Sequence, residues 1–551
     1  MKKNNLLLVF CFITYLANAQ APFITTWDTS SLGNSITIDV VEDDDIPDNY
    51  TIDFGDGTIL TNQSGEITHT YSSNDIYTVT MSGEFSRISF GLSSNPPSDS
   101  NKLLTVEQWG DIQWTSMENA FLGCSNLTIT ATDAPDLSNV TTTKSMFSNC
   151  NSFNQDISNW DMSNVNNTSS MFFDCNNFNQ SLNNWDVSSV TNMSRMFADC
   201  THFNQPLDNW NVSNVVDMSE MFGFCPDFNQ SLNSWNVSSV TNMNRMFVRA
   251  LSFNQPLDNW NVSNVTNMRG MFNTTPFNQP IDNWDVSSVT NMGYMFWQAH
   301  SFNQPLNSWD VSNVTDMSST FFGCISFNQP LNNWDVSNVT TMEAMFWSAF
   351  VYNQPLDNWN VSNVIKMGSM FNYAYIFNQD LSGWNFNTDI TFENIDYPNP
   401  QLYYTFLGYS GLDVNNYDAL LNRFKELGLE NKTIGADELE YCDEETRNYL
   451  INELGWTIDG DSLAEDCTAT TVSFTEEQLL LYPNPVNDIL HIEVKSAVQL
   501  EEVKVYNLQG SQLMSLNQNF ENISTESLSS GIYILSIQTN KGSAEYKLIK
   551  N

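Results

Sequence analysis

Tryptophan sets the frame of this chain: Trp160, Trp185, Trp210, Trp235, Trp260, Trp284, Trp309, Trp334, Trp359 and Trp384 recur every 25 residues, with one step of 24. The same phrase returns around each of them. FNQPLDNWNVSNVTNM begins at Phe253, and FNQPLNSWDVSNVTDM begins 49 residues later at Phe302. A unit this short cannot stand alone. Ordering it costs roughly 37 kcal/mol at about 1.5 kcal/mol per residue, while burying one indole returns only about 4–6 kcal/mol. Stacked copies escape that limit, because each covers the apolar faces of its neighbours.

Within the unit around Trp185 two periods compete. Trp185 and Val187 alternate with Asn184, Asp186 and Ser188, which predicts a short strand with one buried side. From Val190 the apolar residues Met193, Met196, Phe197 and Cys200 fall on one helical stripe, with Ser188 or Ser189 placed as a cap. Proline at 206, 256, 280, 305, 330 and 355 cannot donate to a ladder, so FNQ reads as a connecting turn whose Asn and Gln amides stack. The expected fold class is therefore an α/β repeat solenoid of ten 25-residue strand-helix units flanked by small β-sandwich domains.

The opening MKKNNLLLVFCFITYLANAQ joins two lysines, an apolar run from Leu6 to Leu16 and the small-x-small site Ala17-Asn18-Ala19, the features of a secretory signal peptide cleaved at Ala19. No later stretch has the ~18 apolar residues of a membrane span. With 63 acidic against 19 basic residues, the net charge of −44 repels nucleic acid and anionic lipid. Cys124, Cys150, Cys175, Cys200, Cys225 and Cys324 share one repeat position and read as a packed column of small side chains. Cys442 and Cys467 lie outside the array of an exported protein and are the candidates for a disulfide.

The frame Leu182-x-x-Trp185-x-Val187 and the phrases NWDVSSVTNMSRMF and FNQPL resemble the BspA-like leucine-rich-repeat surface proteins of bacteria. YTIDFGDGT from Tyr50 and ITHTYSSNDIYTVTMSG from Ile67 resemble the amino-terminal part of the same family and imply a small β-sandwich related to PKD domains. KTIGADELEYCDEETRNYLINELGWTIDGDS resembles the family's terminal segment, with helical spacing in ETRNYLINEL, and reads as a cap fastened by Cys442 and Cys467. LYPNPVNDILHIEV, VKVYNLQGSQL and SLSSGIYILSIQT are similar to the type IX secretion C-terminal sorting domain of Bacteroidetes, which implies passage through that machinery to the outside. These likenesses divide the chain into a signal peptide (1–19), a PKD-like domain (20–95), the leucine-rich-repeat-like array (96–395), a cap (396–467), a linker (468–476) and the sorting domain (477–551).

Catalysis needs titratable groups that converge on one place. His69, His202, His300 and His491 occupy different positions relative to the repeat, and no phosphate loop, zinc motif or nucleophile elbow is present, so no enzyme is expected. What the array offers is a face. With Trp and Val inward, the column Asp161, Asp186, Asn211, Asn236, Asn261, Asp285, Asp310, Asp335 and Asn360 points out, followed by a serine column. Two readings stay open: these residues solvate the sheet and ladder between copies, or they contact an unknown protein or carbohydrate. No cofactor is expected, except that stacked Asp285, Asp310 and Asp335 would repel one another and attract a divalent cation weakly. The function that follows is adhesion or ligand binding by a secreted or surface protein. The alternative is a carbohydrate-capture accessory protein of a secreted polymer-degrading system, which aromatic residues on an exposed face would favour, whereas the outward columns contain almost none.

Overall fold

The structure, a computed structural model, describes residues 20–30, 33–41, 48–91, 99–393, 406–465, 467, 479–494, 500–507, 511–520, 522–539 and 542–551. The signal peptide with Ala19 and the linker 468–476 lie outside the described residues. The chain divides into two compact units, Met1–Leu463 and Ala464–Asn551.

The first unit begins with strands β1 (Phe23–Asp28), β2 (Ser35–Ile38), β3 (Asn49–Asp53), β4 (Ile59–Gln63), β5 (Ile67–Thr70), β6 (Ile76–Glu84), β7 (Leu103–Gln108) and β8 (Thr128–Ile129). Six of them form a sheet in the order β4-β3-β6-β1-β7-β8, and β2 pairs with β5. The DFGDG motif makes the β3–β4 turn. Asp53 and Asp56 accept the amides of Gly55 and Thr58, and a Cβ at Gly55 (φ 77°) would meet the Thr78 carbonyl at 2.4 Å. The last pair, β7 with β8, is parallel and joins this sheet to the first coil of the array. Trp109 meets Trp160 edge to face at 5.4 Å, so the two cores are continuous.

From there to Thr391 the strand-helix solenoid does not form, and the leucine-rich-repeat architecture goes with it. Among the described residues of the array after β8, no segment is a helix or a strand; the copies are built from turns, linked by single parallel bridges such as Asn167↔Asn192 and Asn192↔Asp217. The pairing falls at Asn192, not at Trp185–Val187. In the stretch expected to be helical, alternate amides point in two directions. Met193, Arg195, Phe197 and Asp199 donate to Asp217, Ser219, Met221 and Gly223 of the next copy. Met196, Ala198 and Cys200 close local turns onto Met193, Arg195 and Phe197.

Two residues per copy make this possible by adopting left-handed backbone, for example Ser170 and Asp174 (φ 55° and 56°) or Arg195 and Asp199 (φ 57° and 62°). Such a conformation costs a non-glycine residue roughly 1–2 kcal/mol, here offset by an inter-copy hydrogen bond at each position. The apolar spacing misled because a three-residue turn repeats i, i+3 as a helix does. Val190, Met193, Met196, Phe197 and Cys200 are all fully buried.

Side chains add further ladders. Each indole from Trp185 to Trp384 is buried and donates its Nε1–H to the carbonyl of the Leu or Ile before the previous copy's Trp, as in Trp210 to Leu182 (2.8 Å) and Trp260 to Leu232 (2.9 Å). The FNQ turn is tied the same way: Asn229 Oδ1 accepts the Asn254 amide (3.1 Å) and the Gln255 side chain (3.0 Å). The repeat cysteines are free thiols, fully buried, and burial pushes them well above the ordinary thiol range; Cys200, for instance, donates to the Phe172 carbonyl.

Among the described residues the α-helices lie beyond the array, where α1 (Val414–Glu426) and α2 (Glu444–Asn452) are capped by Asp413 and Asp443. The second of these is the ETRNYLINEL segment. Helix α1 closes the last copy: the Asp413 amide and Asn416 side chain both donate to Asn378 Oδ1, and Arg423 donates to the Trp384 carbonyl. Around the helices, β9 (Thr433–Gly435) pairs in parallel with β11 (Thr457–Asp459), and β10 (Glu440–Tyr441) with β12 (Ser462–Leu463). Cys442 and Cys467 are both disulfide-bonded.

The second unit holds β13 (Leu479–Tyr482), β14 (Ile489–Val494), β15 (Leu500–Asn507), β16 (Gln512–Leu516), β17 (Ile523–Ser524), β18 (Gly531–Thr539) and β19 (Gly542–Lys550). They form sheets β13-β14-β17 and β16-β15-β18-β19 around a core that includes Val503, Val505, Leu535 and Ile537.

Candidate functional site

The nine residues that sequence places on the open face are all exposed, and all do the same local work. Oδ1 of Asp161, Asp186, Asn211, Asn236, Asn261, Asp285, Asp310, Asp335 and Asn360 accepts the amide of the serine two residues on, at 3.0–3.2 Å. Asp and Asn alternate freely because either oxygen closes this turn. They occupy one position in successive copies. Among the described residues, no group of three or more His, Cys, Asp or Glu is arranged to hold a metal ion.

Hydrogen bonds from the side chain and backbone of Ser188 and Ser312 hold Asp186 and Asp310 below the ordinary value of 3.8. A carboxylate with a depressed folded pKa contributes stability that is present above the unfolded value and lost as pH falls through the folded one. Asn makes the same bond at position 211. Asp186→Asn with Asp310→Asn should therefore match the parent protein near neutrality and melt higher than it below about pH 4, as calorimetry across pH would record.

The copies also serve as an alignment of the chain with itself. Counted from the bridge residue, the core and ladder positions barely change. The bridge position itself and those two, three, six, seven, nine and ten residues after it vary widely. Three residues on stand Arg195, Glu220, Tyr294 and Ala344; six on, Ala198, Gly223, Trp297 and Trp347; nine on, Asn176, Leu251, Phe350 and Tyr375. Every Lys and Arg between residues 115 and 393 lies at these positions: Lys144, Arg195, Arg245, Arg249, Arg269 and Lys366.

This variable edge has a graded chemistry. Toward its start, Arg195 lies 4.2 Å from the Phe173 ring and, with Arg245, approaches Glu220 at 3.4 Å. Midway, Arg269 covers the Tyr294 ring at 4.4 Å and reaches Asp316 at 3.3 Å. Toward the end aromatic side chains take over. Trp297, Phe322 and Trp347 follow one another at 5.4 and 5.1 Å, Phe350 meets Tyr375 at 5.2 Å, and Tyr373 stacks on Tyr409 at 4.8 Å. Tyr375 and Ile376 are about half exposed, at 52% and 48%. The Asp437 carboxylate beside Tyr409 raises its phenol above the ordinary range. With the pairing at Asn192 and its equivalents, a second set of columns beside the Asp/Asn column reaches the surface. The usable signal was variation among copies, which spares turn formers and collects on one edge.

Three family models match the sequence of this chain. The model described as "Mycoplasma protein of unknown function, DUF285" matches residues 115–235, 205–309 and 301–397, together just over half of the chain. A PKD domain matches 28–86, and a secretion system C-terminal sorting domain matches 480–551. No curated protein matches the chain. The sorting domain makes this a secreted or outer-surface protein, and among the described residues no helix is long and apolar enough to cross a membrane.

Proposed function

The chain belongs to the DUF285 family, and on that premise we propose that it is a non-catalytic binding protein that meets its ligand through the variable edge of the repeats. One observation carries this reading: ten copies that hold their core and turns constant put their arginines, lysines and exposed aromatics on a single edge. Clustered exposed apolar side chains such as Phe350, Val351, Tyr375 and Ile376 mark interaction surfaces. Adhesion to a protein and capture of a carbohydrate both fit such an edge, and its aromatic row favours the carbohydrate. The sorting tail engages the secretion machinery, and no cofactor enters the reading.

The test is an array of glycans and extracellular proteins probed with the intact exported chain and with Phe350→Asn/Tyr375→Asn. Asparagine stands at the same position as residues 151 and 176, so the variant keeps a side chain the fold already accepts. Hits that fade with this variant and survive Asp335→Asn support the reading; hits indifferent to it remove the edge. The cation proposed for Asp285, Asp310 and Asp335 has its own check, since calcium titration should raise the melting temperature slightly and an unmoved transition ends the idea.

A further inference from the structure

A cavity of about 390 Å³ opens in the middle of the variable edge, bordered by Arg269, Tyr294, Asp316, Thr341, Glu343 and Lys366. Gly293 makes room for it. A Cβ there would meet Arg269 Nη1 at 2.9 Å, Asp316 Oδ2 at 3.0 Å and Ser318 Oγ at 3.0 Å. Without that side chain Arg269 passes over one copy and pairs with Asp316 two copies on. Asp316 is fixed further, since Asn291 donates to Oδ2 at 3.1 Å and the Ser318 hydroxyl to Oδ1 at 2.6 Å. The Thr341 hydroxyl oxygen is buried without a hydrogen-bond partner among the described residues. Two cations and two carboxylates leave the lining with no net charge.

The aromatic row follows the lining residues along the chain, with Trp297 and Phe322 partly exposed and Trp347 buried. Trp297, Phe322 and Trp347 each donate their amide to the residue three before, Tyr294, Ser319 and Ala344, which line the cavity. The repeat consensus explains none of this. Arg, Gly, Glu and Lys each replace a Ser, Asn or Thr common elsewhere at their position, and they do so in four of five successive copies.

Resting on the binding reading above, we infer that this cavity takes one sugar unit of a neutral glycan, whose neighbouring units run along the aromatic row. Its volume falls in the range of small-ligand pockets, about 300–1,000 Å³. Balanced charges give no net attraction to an ionic ligand. Carboxylates, a guanidinium, an ammonium and hydroxyls held in place can take several charge-assisted hydrogen bonds from and to vicinal sugar hydroxyls. An unpartnered buried hydroxyl gains most from a polyhydroxylated occupant. The partly exposed rings of Trp297 and Phe322 offer apolar contact to the C–H faces of the next sugar.

The experiment is calorimetric titration of the intact chain with neutral glucan, mannan, xylan and galactan oligosaccharides, with an oligogalacturonate as acidic comparison. The variant is Arg269→Ser/Asp316→Asn/Lys366→Asn, whose new residues stand at the same positions as Ser194, Asn291 and Asn192 and keep the turns. At least one neutral oligosaccharide should bind, and the variant should lose about tenfold or more in affinity with an unshifted melting temperature. No neutral ligand, equal affinity in the variant, or preference for the acidic oligomer overturns the inference. Protein hits that still depend on Phe350 and Tyr375 would then leave the broader binding reading standing, whereas hits indifferent to that pair would end it as well.

Discussion

Replacing Trp260 by alanine should lower unfolding stability by about 3–5 kcal/mol, the largest loss expected from any single side chain in the array. Three contributions fall together at this position. The indole is 3% exposed, so its removal leaves a cavity in a core that continues unbroken through the neighbouring copies. Its ring stacks on Trp284 at 6.4 Å and 6°. Its Nε1–H is the donor to the Leu232 carbonyl at 2.9 Å, and a buried carbonyl that loses its partner carries a desolvation cost. Trp260→Phe separates these, because it keeps most of the packing and deletes only the donor; about 1–3 kcal/mol should remain. The backbone and indole ladders join each copy to its nearest neighbours, so the alanine variant should also weaken coupling across its own position and broaden the denaturant transition. Urea unfolding followed by fluorescence and circular dichroism measures both. A loss below about 1 kcal/mol in the alanine variant would mean that the indole column is not what joins the copies.

How much of this was open to reading depends on which residues are asked. The burial of Val190, Met193, Met196, Phe197 and Cys200 follows from their spacing alone, since any regular backbone of that period puts them on one side. Which backbone it is does not follow. Helices and chained three-residue turns share the period, and the difference lies in the sign of φ at Arg195 and Asp199, ordinary residues that carry no mark of left-handed backbone. Proline in FNQP pointed correctly away from a strand there, yet nothing marked Asn192 as the bridge in place of Trp185. The Asp/Asn column was legible as exposed, while its turn-closing bonds were hidden because they lie two residues along the same chain. The variable edge was legible in principle, through Trp297 and Trp347 standing where Ala198 and Gly223 stand in other copies.

Ser170 decides between those two backbones. It sits at φ 55°, donates its amide to the Ser194 carbonyl at 2.8 Å and accepts that of Phe173 at 3.1 Å. A β-branched side chain in left-handed backbone crowds the following carbonyl, so Ser170→Ile should cost about 2 kcal/mol. Glycine has no Cβ to crowd, so Ser170→Gly should be neutral or slightly stabilising. In a helix the order reverses, because glycine there costs about 0.5–1 kcal/mol relative to alanine and isoleucine costs less than that. Gly270, which holds the equivalent position at φ 62°, shows that the fold already accepts glycine there. Denaturant midpoints of the two variants settle the order. If isoleucine proves milder than glycine, the turns give way to the strand-helix unit; if glycine is free and isoleucine costly, a left-handed residue in each turn is what lets alternate amides reach the next copy.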